Sequence, residues 1–232
     1  MSYILHLETA TKVCSVAIAE NGKLVSIIES AIANSHSSLI TVYADEVLQT
    51  AKIGFKEISA VCVSMGPGSY TGLRIGASTA KGFCYALNIP LIAVNTLHSM
   101  ANFYFMEHVK KISKDVLLCP MIDARRMEVF TAFFDEELKF VRETKADIVD
   151  ENSYSDFLAS KKIIFFGDGS QKCKQVLSKQ KNAIFDDTYS ISSKGLISLA
   201  WEKFQKKQFE DIAYFEPFYL KDFIATIPKK LI

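Results

Sequence analysis

The sequence predicts an α/β chain of two tandem halves. Each half runs strand, strand, strand, helix, strand, helix, strand, helix (βββαβαβα) around a mixed five-stranded sheet with flanking helices. Three observations lead there. Each half opens on three β-rich runs joined by tight polar turns, the pattern of an antiparallel meander. Each then alternates strand-length apolar runs with helix-period segments, which calls for parallel strands and crossover helices on the sheet faces. The same order occurs twice within 232 residues, a length that fits one large domain or two small ones.

In the first half, residues 3–9 are β-rich, and 15–20 follow a short polar turn. Asn21-Gly22 marks a two-residue hairpin, from which 23–30 return. Residues 35–51 carry a helical period, 59–65 read as a buried strand, 70–87 as a second helix, 90–94 as a strand and 95–108 as a helix. In the second half, 116–123, 128–134 and 138–144 read as antiparallel strands and 153–160 as a short helix. Residues 162–166 form a strand, 170–181 a helix, 183–186 a short strand and 192–207 the closing helix. The division falls at 1–108 and 109–232, with the last segment expected to pack back on the first. This topology resembles that of the actin-like, sugar-kinase and heat-shock ATPase (ASKHA) superfamily, although the halves share little residue identity.

Lysine and arginine number 27 against 26 acidic residues. This balance excludes a protein that grips nucleic acid by bulk charge, but not one with a local basic patch. A hydrophobic content of 49% is globular. A mean hydropathy of +0.14 is slightly apolar and hints that a partner covers some surface. The five cysteines are odd in number, lack metal-ligand spacing and sit mostly in apolar runs. They read as reduced core thiols of a cytoplasmic protein. The N-terminus lacks a basic n-region and reads as no signal peptide, and no apolar stretch approaches the ~20 residues of a membrane span.

Two helices carry more apolar surface than their own core requires. On a wheel at 100° per residue, Leu39, Ile40, Tyr43, Ala44, Val47, Leu48 and Ala51 cover half of the first helix. In the second, Gly72, Gly76 and Ala80 recur every four residues, beside Leu73, Ala77, Phe83 and Cys84. Each interior glycine costs about 1 kcal/mol relative to alanine, which close packing offsets. Either both helices lie under other parts of this chain, or they also present a face to another subunit.

Between strand and second helix runs Gly66-Pro67-Gly68-Ser69-Tyr70-Thr71-Gly72-Leu73-Arg74-Ile75-Gly76. A glycine loop before a helix N-terminus can hold an anion. This one is neither a Walker A loop nor a dinucleotide fingerprint. Glycines for a sharp turn, with Ser69 or Thr71 as helix cap, favour a structural role.

This block, with 4–11, 14–17, 122–130 and 217–220, resembles the bacterial TsaB (YeaZ) family of tRNA threonylcarbamoyladenosine biosynthesis proteins. The stretches span almost the whole chain, with Glu8 where the family pattern usually has aspartate. The resemblance implies an actin-like fold, no catalysis and no cofactor bound by this chain alone. It implies heterodimerisation with TsaD, the related subunit that transfers threonylcarbamoyl to adenosine 37 of ANN-decoding tRNAs. A TsaE-like ATPase, ATP and Mg are expected in the complex, and tRNA only through it. Alone, the chain is expected to homodimerise through a similar surface. The implied interface is Leu39, Tyr43 and Val47 on the first helix and Gly72, Leu73, Gly76, Ala77 and Ala80 on the second.

The residues agree independently. An actin-like ATPase holds phosphate and hydrated Mg at an Asp-x-Gly turn in each half. The turns here, Glu8-Thr9-Ala10-Thr11 and Asp123-Ala124-Arg125, both lack the glycine. Asp123 is expected to be engaged by Arg125, Arg126 or its own turn. Gly167-Asp168-Gly169 either faces a nucleotide or forms a turn into a helix capped by Asp168 or Ser170. His6, His36, His98 and His108 are never four apart, so no H-x-x-x-H metal pair exists and structural roles are favoured. Lys206-Lys207 and Lys229-Lys230 read as solvated charges. The alternatives are a self-sufficient actin-like ATPase or small-molecule kinase, and, more remotely, a protease, for which no G-x-S-x-G or H-E-x-x-H is present.

Overall fold

The structure, a computed structural model, describes residues 1–32, 36–109 and 112–220. Lys229-Lys230 and the first residue of the expected 35–51 helix lie outside these. In the first half, β1 (Tyr3–Glu8), β2 (Cys14–Glu20) and β3 (Lys23–Ser30) form the meander, followed by α1 (His36–Ala51), β4 (Ile58–Gly66), α2 (Tyr70–Leu87), β5 (Leu91–Asn95) and α3 (Thr96–His108). The second half has β6 (Val116–Asp123), β7 (Glu128–Phe134), β8 (Phe140–Ile148), α4 (Ser155–Leu158), β9 (Lys162–Phe166), α5 (Ser170–Leu177), β10 (Ala183–Asp186) and α6 (Lys194–Gln205). The sheets have the same order relative to the chain, β3-β2-β1-β4-β5 and β10-β9-β6-β7-β8. In each, the meander is antiparallel and the later strands add in parallel beside the first.

One strand is displaced from its expected 138–144 span. Asp135 Oδ1 accepts from the backbone N–H of both Glu137 and Lys139, and Leu138 is left-handed at φ 60°. That turn delays β8 to Phe140. Pairing of Glu128 with Ile148 then carries it through a polar stretch that reads as loop.

The division at 108 follows the chain, but the packing crosses it. Leu97, Met100, Ala101 and Tyr104 of α3 join the core of the second sheet, against Leu118, Phe134 and Phe166. Conversely, Leu196 and Ala200 of α6 pack on Ile4, Cys62, Ile92 and Val94 of the first sheet. Residues beyond α6 continue across the first half: Glu210 N–H donates to Leu91 O, and Phe218 N–H to Met65 O. Each sheet is therefore sealed on one face by an element from the other half. A fully buried leucine or isoleucine in these layers contributes about 1.5–3 kcal/mol. All five cysteines are buried free thiols. Among the described residues no helix is long and apolar enough to cross a membrane.

Candidate functional site

The glycine loop is packed against this chain's own backbone. Ser69 caps α2, its hydroxyl accepting from Gly72 N–H at 3.2 Å. The loop packs directly on the β1–β2 turn. Ser69 N–H donates to Ala10 O at 2.7 Å, and Thr9 Oγ1 donates to Gly72 O at 2.8 Å. A Cβ on Gly72 would lie 2.1 Å from Thr9 O, and one on Gly68 2.4 Å from Ala10 O. The small-residue stripe of α2 thus meets this chain's own turn, backbone against backbone. Gly72→Ala is expected to destabilise the fold by about 2 kcal/mol, because two backbones must separate. Urea unfolding measures it.

The acids of the two turns face inward or are already paired. Glu8 has no exposed surface. Its Oε1 accepts from Ala10 N–H at 2.7 Å and from Ser64 Oγ at 2.8 Å. Burial pushes its carboxyl up to about 7, against smaller opposing effects of those hydrogen bonds. In the second turn, burial works to raise Asp123, but Lys172 and the Arg125 N–H together hold it below the usual range. It is the Arg125 backbone, not its guanidinium, that engages Asp123. Arg125 and Arg126 are both left-handed, at φ 68° and 48°.

Asp168 accepts from Asp123 N–H at 3.0 Å and so ties this turn to the β9–α5 junction. It does not cap α5, which begins without a side-chain cap. Ser170 bonds back to Gly167 O instead. A Cβ on Gly167 would lie 2.4 Å from Met121 O, which explains that glycine by packing.

These residues do not fit magnesium nucleotide. One acid is turned into the core, the other is paired with a lysine, and the first turn's Ala10 N–H is taken by Glu8. Three of the four histidines make contacts within the fold: His36 meets Val13 O, His108 meets Tyr104 O, and His98 lies between Phe134 and Phe140. Among the described residues no cluster of three His, Cys, Asp or Glu could hold a metal ion.

Most of the residues expected at a partner interface are covered by this chain itself. Val47, Gly72, Leu73, Gly76, Ala77 and Ala80 are all buried within the chain. They cover sheet one and the β1–β2 turn, so the apolar arc of each helix is largely its own core face. Leu39 and Tyr43 remain half-exposed. Beside them Val42 is 46% exposed, and on the adjacent α2 Ile75 and Thr79 are half-exposed while Gly82 and Ala86 are open. A Cβ on Gly82 would meet nothing within 4 Å. What solvent sees is a shallow apolar seam along α1 and α2, small at its centre. The exposed arc of α2 is built of small residues, Ser78, Thr79, Gly82 and Ala86, a feature that the sequence wheel already displayed.

A second exposed feature, formed by the last described segment, flanks α2. Residues 213–219 lie along it: Lys81 Nζ donates to Ala213 O and Phe215 O, and Tyr219 packs on Tyr70 at 5.0 Å. Arg74 stacks over Tyr70, 4.1 Å from its ring centre. This strap runs along one flank of α2.

Comparison with known proteins decides the family. The TsaD family, tRNA N6-adenosine threonylcarbamoyltransferase, matches residues 26–229. The tRNA threonylcarbamoyladenosine biosynthesis protein TsaB of Buchnera aphidicola subsp. Acyrthosiphon pisum is 31% identical over 196 residues, 84% of this chain and 80% of that one. The chain belongs to the TsaB (YeaZ) family, within this TsaD-related group. Among solved structures, a Pseudomonas aeruginosa protein described as similar to peptidase YEAZ superposes with a TM-score of 0.82 at 23% identity, covering 95% of this chain and all of that one. A putative N-acetylmannosamine kinase from Listeria monocytogenes superposes at 0.51 and 9% identity, over 88% of this chain and 99% of that one. The TsaB-family chain thus shares its fold with ASKHA-type sugar kinases, with its own turns filled where an actin-like ATPase holds phosphate.

Proposed function

We propose that this chain serves threonylcarbamoyladenosine formation in tRNA as a non-catalytic subunit that docks on a TsaD-like transferase. The observation that carries the reading is the closed first turn: Gly68 and Gly72 pack on Ala10 and Thr9, and Glu8 points into the core. A protein with that turn filled acts through its surface. The α1–α2 seam is the surface offered, and TsaB-family membership supplies the pathway. The TsaD-like partner holds ATP and Mg, a TsaE-like ATPase joins the pair, and tRNA is met only through the complex, in the cytoplasm. Without its partner the chain pairs with a second copy through the same seam.

The docked helices act by stabilising the competent state of the partner, which requires only that they bind that state more tightly. The test is a reconstituted transfer reaction with purified TsaD-like and TsaE-like subunits, threonylcarbamoyl-adenylate and tRNA. Product is expected only when this chain is added. Equal product without it would overturn the reading.

A further inference from the structure

Four polar atoms on the inner face of the first sheet have no hydrogen-bond partner among the described residues. They are Nδ1 and Nε2 of His6, Oε2 of Glu8, and Oγ of Ser99 on the helix beneath. None of the three residues has exposed surface. The backbone of Ala17 and of Ile4 lies near the imidazole, but neither ring nitrogen has a partner in hydrogen-bond geometry among the described residues.

These atoms belong to one layer. His6 and Glu8 are two apart on β1, so they share a face about 7 Å apart along the strand. Glu8 stands opposite Ser15 on β2. The Ser15 hydroxyl accepts from Ser193 N–H at 2.9 Å and lies 2.6 Å from the Ser193 hydroxyl, at the start of α6. Two residues on, Gly195 packs on Ser99 of α3 so tightly that a Cβ would lie 2.2 Å from Ser99 O. The register neighbours of His6 are small, Ala17 on one side and Cys62 on the other. The layer is polar where α3 and α6 meet it, with small side chains beside His6.

Each buried polar atom left unbonded costs about 1–3 kcal/mol. Four such losses would take much of the roughly 5–15 kcal/mol that holds a domain folded. A change of tautomer offers no relief, because a neutral imidazole always presents one donor and one acceptor.

We infer that this layer is a resident water site, enclosing on the order of two water molecules that bridge His6, Glu8 and Ser99 between β1 and the α3–α6 crossing. Water gives each orphan its partner and needs no charge balance. It also makes the seam between the halves compliant, since a bridged contact re-forms after a small slide that would open a void in dry packing.

A high-resolution crystal structure of the full chain tests this, paired with water-to-protein cross-relaxation at the His6 ring protons in solution. Ordered density is expected about 2.7–3.2 Å from at least one His6 nitrogen and from Glu8 Oε2, with long-lived water signals at the ring. In His6→Leu the ring-side water disappears while the Glu8-side water stays. Should that variant not fold, the wild-type density and signals decide alone. A dry layer, or both imidazole nitrogens bonded directly to protein groups, would overturn the proposal.

Discussion

Val42→Glu combined with Gly82→Glu is expected to weaken association with a TsaD-like subunit at least about 100-fold, the equivalent of roughly 2.7 kcal/mol. Both positions face solvent on the α1–α2 seam, and neither supports the core. Burying two unpaired carboxylates against a close-packed helix is costly, and glutamate at 82 fills the gap that lets a partner backbone approach. The isolated chain is expected to keep its melting temperature, because replacing an exposed helical glycine gains a few tenths to 1 kcal/mol. Calorimetric titration against the partner, with a thermal melt of each variant, reads both quantities. Ala77→Glu would be a poor substitute. Ala77 is 6% exposed inside the core of the first sheet, so a charge there reports on folding rather than docking. Unchanged affinity in a folded double variant would move the interface elsewhere.

The second large effect is on stability and comes from Glu8. The folded protein holds a proton on this carboxyl up to about pH 7, whereas the unfolded chain releases it near 4.5. Glu8 therefore favours folding fully below about 4.5, and that contribution is lost as pH rises to 7. The loss amounts to about 3 kcal/mol. His6 works the opposite way. Burial lowers its imidazole from 6.5 to about 4, so its contribution is full above 6.5 and lost as pH falls to 4. Between about 4.5 and 6.5 the two slopes cancel. Glu8→Gln removes one of them. Relative to wild type, the variant is expected to gain about 3 kcal/mol between pH 4.5 and pH 8. Urea denaturation at the two pH values checks it. A constant difference between variant and wild type would mean that Glu8 is ionised without penalty.

How far the sequence could be read depended on whether the deciding contact was local. The hairpin at Asn21-Gly22, the cap at Ser69 and the order of the sixteen α-helices and strands among the described residues follow from neighbouring residues, and they were legible. The wheel of α2 showed a broad small and apolar arc but could not say what covers it. The answer is Thr9 and Ala10, sixty residues upstream, so an arc read as docking face is mostly core. The exchange of α3 and α6 between sheets is likewise invisible to periodicity, because an apolar stripe fits either sheet equally well. His6 and Glu8 sit in a β-rich run where alternation suggests one solvated face. Only the crossing of α3 and α6 over that face buries them. The strap at 213–219 depends on carbonyls meeting Lys81, a contact with no sequence pattern.

The most direct measurement compares two variants in the reconstituted transfer reaction. One carries the turn substitutions Glu8→Gln and Asp123→Asn; the other carries the seam substitutions Val42→Glu and Gly82→Glu. A docking subunit predicts that the turn variant supports product at the wild-type rate and that the seam variant loses nearly all of it, with both chains folded. Loss of product in the turn variant, with the seam variant fully active, would contradict this and place the chemistry in this chain.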